Sequence, residues 1–374
     1  MHPSSILLRR IARLLPLLLA SFLVGCGNGS GGAFSTALNS SPGNNNAAGG
    51  TNTGNIAATD PLTNPDLILF ASGRAQDQTW QYYAMNPDGS GVKAVSGLSG
   101  LNARLGEGLA VNQTGTFASL AFDYATGGGT ERILVRLSDG KKLLDFIQTS
   151  GTLPTVFAAN SSGAQVAVAG KPTPGDAYAI YLMAPDGTQK SLIYTPPAGS
   201  AITEILFAPN DQTLYFVLIP TGAANLTAQN AVLYQIAASG GAPVKLADIS
   251  APITSIHTSR DGTKLAFISL VGAPDFQSAV FTPYTLNADG TGLTKGAVTT
   301  LSGFVAYWNV VLAGRPDGFH VLYVSNADGA AEIYDMRPDG TGLTQITFNA
   351  AGNSIPGSRQ ASGSRILTLG GRAK

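Results

Sequence analysis

Tyr334-Asp-Met-Arg-Pro-Asp-Gly-Thr-Gly-Leu-Thr-Gln-Ile-Thr347 reads as two short strands joined by a tight turn. Proline sets φ for the first turn position, aspartate tolerates the second, and glycine takes the positive φ that closes the hairpin. The token recurs at Met85-Asn-Pro-Asp-Gly-Ser-Gly91, Leu137-Ser-Asp-Gly140, Met183-Ala-Pro-Asp-Gly-Thr188, Ala238-Ser-Gly-Gly241 and Leu286-Asn-Ala-Asp-Gly-Thr-Gly292. Its glycines at 89, 140, 187, 240, 290 and 340 lie 51, 47, 53, 50 and 50 residues apart, which defines six modules of one size. An alternating strand precedes each turn, as in Ala179-Ile-Tyr-Leu-Met183 or Glu332-Ile-Tyr-Asp-Met336.

A second token lies between these turns: Val111-Asn-Gln-Thr-Gly115, Ala159-Asn-Ser-Ser-Gly163, Ala208-Pro-Asn-Asp-Gln212, Ser259-Arg-Asp-Gly262, Arg315-Pro-Asp-Gly318 and Gln360-Ala-Ser-Gly363. Apolar strands such as Lys264-Leu-Ala-Phe-Ile-Ser269 and His320-Val-Leu-Tyr-Val-Ser325 follow. Each unit of roughly 50 residues therefore supplies four antiparallel strands, the content of one propeller blade. The fold expected is all-β: a six-bladed β-propeller of four-stranded antiparallel blades over 61–374. Leu67-Ile-Leu-Phe-Ala71 and Arg365-Ile-Leu-Thr-Leu369 both read as second strands. One of them is then surplus or adds an edge, and the C-terminal segment is expected to complete the first blade and seal the ring.

On these residues, with Arg260-Asp-Gly-Thr-Lys-Leu-Ala-Phe267, the chain resembles the TolB-type β-propeller repeat over nearly all of 66–370. The copies at 281–294 and 332–347 are close, and those at 131–147 and 231–247 are degenerate. TolB itself joins its propeller to a preceding folded domain and works with an outer-membrane lipoprotein. Low-complexity sequence stands in that place here.

That sequence is itself informative. Arg9, Arg10 and Arg13 precede a ten-residue apolar run, Leu14 to Leu23, too short to span a bilayer but suited to an export signal. It ends in Leu23-Val24-Gly25-Cys26, which resembles the lipobox of bacterial lipoproteins. The resemblance implies a signal over 1–25, removed to leave Cys26 as a lipid-modified first residue. Acyl chains add about 0.8 kcal/mol of membrane affinity per methylene. Gly27 stands where an aspartate would favour retention at the inner membrane, so the expected place is the outer membrane, facing the periplasm or the cell surface. From Gly27 to Asp60 the chain is almost only Gly, Asn, Ser, Thr and Ala, too poor in apolar groups to offset the entropy of ordering it. Residues 26–60 are expected to be a flexible linker reaching about 30 to 35 Å.

Removing the signal leaves 19 basic against 22 acidic side chains, a net charge of −3 that gives no reason to hold nucleic acid. Cys26 is the only cysteine, so neither an internal disulfide nor a thiolate cluster is available. Two histidines, His257 and His320, remain, too few for the histidine-rich metal site of the propeller-bearing oligogalacturonate lyases. Gly-x-Ser-x-Gly and Gly-rich phosphate loops are absent. The Asp-Gly turns place one carboxylate per hairpin, which is turn chemistry and not a calcium site. No catalytic residue, cofactor or metal is expected.

One constellation remains. Counting eight residues back from each second token gives Glu107, Thr155, Glu204, Thr254, Val310 and Ile355, where innermost strands begin near one mouth of a central channel. Glu107 and Glu204 would face a shared opening, with His257, Tyr307 and Trp308 nearby. The leading expectation is a monomeric, lipid-anchored, non-enzymatic module binding an envelope protein or polymer. A first alternative is an enzyme acting on a sugar or lactone through Glu107 and Glu204. A second is a structural surface component or adhesin using the polar loops Thr221 to Asn230 and Gly272 to Ser278.

Overall fold

The computed structural model describes residues 60–64, 66–72, 81–98, 109–112, 114–123, 130–148, 156–173, 175–221, 230–272, 278–302, 310–315, 317–325, 332–347 and 364–369. The chain divides after Ala57, and every described residue belongs to the unit Ala58–Lys374. Cys26 and the linker before Asp60 lie outside the described residues.

Antiparallel strands follow in chain order. Ile68–Ser72 (β1), Gln81–Met85 (β2) and Lys93–Ala94 (β3) begin sheet 1. Sheet 2 is Leu109–Val111 (β4), Phe117–Asp123 (β5), Thr130–Arg136 (β6) and Lys142–Gln148 (β7). Sheet 3 is Val156–Ala159 (β8), Val166–Gly170 (β9), Ala179–Met183 (β10) and Ser191–Tyr194 (β11). Ser200–Phe207 (β12), Thr213–Pro220 (β13), Ala231–Ala237 (β14) and Val244–Ile249 (β15) make sheet 4. Sheet 5 contains Ile253–Thr258 (β16), Lys264–Gly272 (β17), Ser278–Asn287 (β18), Thr294–Lys295 (β19) and Thr299–Ser302 (β20). Sheet 6 is Val310–Arg315 (β21), Gly318–Ser325 (β22), Glu332–Met336 (β23) and Thr344–Gln345 (β24), and Ser364–Leu369 (β25) closes the chain.

Each sheet is buried on both faces, because each packs between two others. In β9, Ala167 and Ala169 meet sheet 4 through Ile202 and Phe207, while Val166 and Val168 meet Leu134 of sheet 2. Six such clusters join sheets 1 and 2, 2 and 3, 3 and 4, 4 and 5, 5 and 6, and finally 6 and 1. In the last, Ile68, Phe70 and Met85 pack on Leu322, Ile333 and Ile346. A fully buried side chain of this size contributes about 1.5 to 3 kcal/mol, so no sheet is self-sufficient and the circuit of interfaces is the core. An aromatic pair repeats within it. Phe70 lies opposite Tyr83, Phe216 opposite Tyr234, Phe267 opposite Tyr284 and Tyr323 opposite Tyr334, with ring centroids 5.6, 5.4, 4.9 and 5.5 Å apart. Such cross-strand stacks add to what burial supplies.

The expected strand plan needs two corrections. β25 pairs antiparallel with β1 in the order β25-β1-β2-β3. The C-terminal segment thus returns to the first sheet, as expected, but takes its first position and is no extra second strand. First and second strands carry the same apolar alternation, which is why their sequences look alike. The second correction concerns sheet 5, which has five strands where four are expected. β19 and β20 both pair with β18; between them Gly296 N–H still donates to Pro283 O of β18 at 2.8 Å, while Ala297 N–H turns away and donates to Pro338 O of sheet 6 at 2.8 Å.

Both turn tokens emerge on one side, since a strand that runs up and a strand that runs down bring every second connection to the same end. On this turn face the sheets are stitched together. Asn112 Nδ2 of sheet 2 donates to Asn160 O of sheet 3 at 3.0 Å, and Ser161 N–H of sheet 3 donates to Asp211 Oδ1 of sheet 4 at 2.9 Å. Arg260 of sheet 5 forms a buried ion pair with Asp66, at the entry to sheet 1. Sheets 1 and 5 share no packed cluster, so this pair reaches past sheet 6. The outer turns lean on their neighbours as well. Gly89 (φ 81) of sheet 1 lies so close to sheet 6 that an added Cβ would stand 2.1 Å from Ile346 O.

Candidate functional site

The candidate mouth is built on two β-bulges. β12 pairs Ile202 with Leu218 and Glu204 with Val217, and β16 pairs Ile253 with Ser269 and Ser255 with Ile268, so Thr203 and Thr254 are the inserted residues. Ile202 and Ile205 both pack toward sheet 3, and Ile253 and Ile256 both pack toward sheet 4. The two residues between each isoleucine pair are thereby turned together to the other side, a common use of a bulge beside a functional position. Tyr178 fixes the first bulge: its hydroxyl donates to Ile202 O at 3.1 Å and accepts from Ile202 N–H at 2.8 Å. Burial pushes that phenol up to about 12.

Glu204 is partly buried on the bulge, and burial pushes its carboxyl up to about 8 against the opposing pull of the Arg132 charge. A carboxyl so placed is largely protonated at neutral pH and offers a hydrogen-bond donor. Beside it the Thr203 hydroxyl is wholly buried without a hydrogen-bond partner. In sheet 5 the matching Ser255 hydroxyl is occupied, accepting from Leu312 N–H of β21 at 3.4 Å.

Bulge register shifts the expected series by one residue. Glu204 corresponds to Ser255, while Thr203 corresponds to Thr254, because Ile205 and Ile256 hold the same place opposite Phe216 and Phe267. The count slips at the second token of sheet 4. There Asp211 (φ 56), not Gln212, occupies the left-handed position that Gly163 and Gly262 fill elsewhere. Thr254 is exposed. His257 is buried near the turn end of β16, with Nδ1 2.8 Å from Thr258 O. Glu107, Thr155, Tyr307 and Trp308 lie outside the described residues.

Sequence reading passes over Thr203, Ser255, Arg132 and Asp211. A usable signal exists for the first two, the repeated Ile202-Thr-Glu-Ile205 and Ile253-Thr-Ser-Ile256. The Asp-Gly turns carry turn chemistry. Asp186, Asp289 and Asp339 accept from the hydroxyls of Thr188, Thr291 and Thr341 at 2.5, 2.7 and 2.7 Å, which holds all three carboxyls below the usual range. Among the described residues no group of three or more His, Cys, Asp or Glu is placed to hold a metal ion.

What these residues define is an all-β unit of six mutually packed sheets with a stitched turn face and a single perturbed carboxyl on a bulged strand. No protein-family model and no curated protein matches the chain. Among solved structures it is similar to TolB from Acinetobacter baumannii, 14% identical over 74% of this chain and 62% of the other, with a TM-score of 0.47. The likeness thus spans less than two thirds of that protein's length. It is also similar to the nidogen/laminin complex (14%, 72% and 88%, TM-score 0.44) and to an oligogalacturonate lyase from Vibrio parahaemolyticus (14%, 68% and 71%, TM-score 0.41).

Proposed function

We propose that the six sheets are the blades of a six-bladed β-propeller, carried by a lipidated Cys26 and a flexible linker, and that the chain is a monomeric, non-enzymatic interaction module of the cell envelope at the outer membrane. The observation that carries this reading is the inequality of the two faces. On the turn face the connections are short, regular and hydrogen-bonded from sheet to sheet. The connections between second and third strands leave from the opposite end. They include 221–230, ten residues and longer than any hairpin connection of the turn face, and the shorter 273–277; long exposed connections on a rigid scaffold are the kind that carry recognition. An envelope protein or polymer is the partner class. A photo-crosslinker at Gly199 or Thr254 is expected to trap one saturable adduct in whole cells, and one at Thr341 none. Adducts from Thr341 alone would reverse the assignment of faces. Labelled palmitate should mark the wild type but not Cys26→Ser, and an unlabelled wild type would remove the lipid anchor.

Glu204 favours a second reading, an enzyme acting on a sugar or lactone with this carboxyl as general acid. A carboxyl raised to about 8 is suited to donate a proton near neutral pH. Turnover of a polysaccharide or lactone panel that disappears in Glu204→Gln would establish it, and absence of turnover by the wild type would discard it.

A further inference from the structure

Large apolar side chains that stay exposed are gathered at one end of the unit. Among the described residues there are seven, and six of them, Val92, Leu192, Val244, Leu293, Val298 and Leu343, stand on or beside the edge strands that follow the Asp-Gly-type turns, 42 to 58% exposed. The seventh, Val271, lies at the opposite end, where β17 runs out. Val92, Leu293 and Leu343 each follow their turn glycine by three residues and so repeat one position in sheets 1, 5 and 6.

The turns set these side chains in a row, because each turn leans on the edge strand of the sheet before it. A Cβ added to Gly240 of sheet 4 would stand 3.5 Å from Ile193 O of sheet 3, and one at Gly290 of sheet 5 would stand 3.1 Å from Leu246 of sheet 4. One at Gly340 of sheet 6 would stand 2.9 Å from Ala297 Cβ of sheet 5, and Gly89 of sheet 1 meets Ile346 of sheet 6. Ile193, Leu246, Ala297 and Ile346 are within three residues of Leu192, Val244, Val298 and Leu343. The row thus runs through sheets 3, 4, 5, 6 and 1. It breaks at sheet 2, whose edge strand opens on Lys141 and Lys142, the latter paired with Glu131 and Asp145.

The polypeptide enters the unit at the same place. β1 is the second strand of its sheet and starts at the turn end, and Asp60, ahead of it, pairs at 2.7 Å with Lys93, the residue after Val92. The stretch that reaches back to Cys26 therefore leaves beside the row. Charges around the row are balanced. Lys93, Lys190, Lys245 and Lys295 stand within two residues of its members, and Asp88, Asp186, Asp289 and Asp339 occupy the exposed turn tips. Such a balance gives no net attraction to an anionic surface, so apolar burial has to supply the affinity, while lysine stems carry their ammonium groups to phosphate level. A row of exposed apolar side chains beside the attachment point of a membrane anchor is suited to an interfacial contact.

Resting on the reading of Cys26 as a lipid anchor, we propose that this row is a membrane-docking rim. The turn face lies on a bilayer of zwitterionic phospholipid with Val92, Leu293 and Leu343 at the boundary of headgroups and acyl chains, and the opposite end, with 221–230, points away from the lipid. The rim converts a flexible tether into a fixed orientation.

The chain from Cys26 onward tests this, because its only thiol can be coupled to a maleimide-bearing lipid in phosphatidylethanolamine and phosphatidylcholine vesicles, whether or not the cell acylates it. The vesicles also carry a phospholipid with a photoactivatable group at the top of an acyl chain, and labelled peptides are mapped by mass spectrometry. Peptides covering 91–95, 291–298 and 341–346 should be labelled about tenfold more than those covering 218–221 and 270–272. Leu343→Ser should reduce the excess, and the triple variant Val92→Ser, Leu293→Ser, Leu343→Ser should abolish it at an unchanged melting temperature. Equal labelling of both ends, or an excess that survives these substitutions, overturns the proposal, as does a free chain that dimerises through the same three residues. An unlabelled wild type in the palmitate experiment would remove the native anchor without altering the vesicle result, so the two readings fail separately.

Discussion

Replacing Glu204 by glutamine should leave stability unchanged in acid and raise it in base. Burial places this carboxyl at about 8 in the folded chain against 4.5 for the ordinary group. A folded-state value above the unfolded one means that the native state holds the proton more tightly. Its contribution is complete below pH ~4.5 and is lost as pH rises through ~8. With each pH unit between the two values worth about 1.36 kcal/mol, the loss cannot exceed about 5 kcal/mol. Glu204 keeps some solvent contact, and water drawn to the ionised form screens it, so about 2 kcal/mol is the expected change. Glutamine matches the protonated acid in shape and does not titrate. Urea unfolding followed by far-UV circular dichroism should therefore give equal stabilities at pH 5 and an advantage of about 2 kcal/mol for Glu204→Gln at pH 9. A difference between variant and wild type that is the same at both pH values would refute the burial argument.

Other substitutions probe the seams. Gly89→Ala should cost more than about 3 kcal/mol, whereas Gly187→Ala, at nearly the same φ of 82 but with nothing within 4 Å, should cost only the ~1 kcal/mol of the left-handed conformation, as read from thermal unfolding. Asp211→Ala should lose about 2 kcal/mol, combining a poorer left-handed residue with the loss of the bond to Ser161 N–H, and Asp211→Asn should lose about half of that. Deleting residues 353–374 removes β25 and exposes the edge of β1. The whole unit should then unfold at lower temperature in a single transition, and an unchanged melting curve would count against closure by that strand.

Much of this architecture is legible in the repeats. The spacing of the Asp-Gly turns marks out six sheets because only a positive-φ residue closes these hairpins, and Gly89, Gly140, Gly187, Gly240, Gly290 and Gly340 all adopt it. Where another residue takes that conformation the reading slips, as at Asp211. Glu204 is recognisable as an acid near the start of an inner strand, but its burial and its neighbours are not. That Thr203 and Glu204 turn to one side follows from an inserted residue, and the register of a bulge depends on what lies opposite in β13. Arg132 sits 72 positions away in another sheet, beyond any local pattern. The four stacked aromatic pairs are visible in retrospect as a Phe or Tyr in the second strand of a sheet and a Tyr in the third, shortly before the Asp-Gly-type turn.

The pairing of Ile68 with Leu369 also bears on how the circuit is assembled. Sheet 1 is begun by some of the earliest residues of the unit and finished by the last, so a nascent chain has no route to the complete native circuit until synthesis has passed residue 369. Completing sheet 1 requires a partner some 300 residues distant in the chain, the kind of long-range pairing that is slow to form.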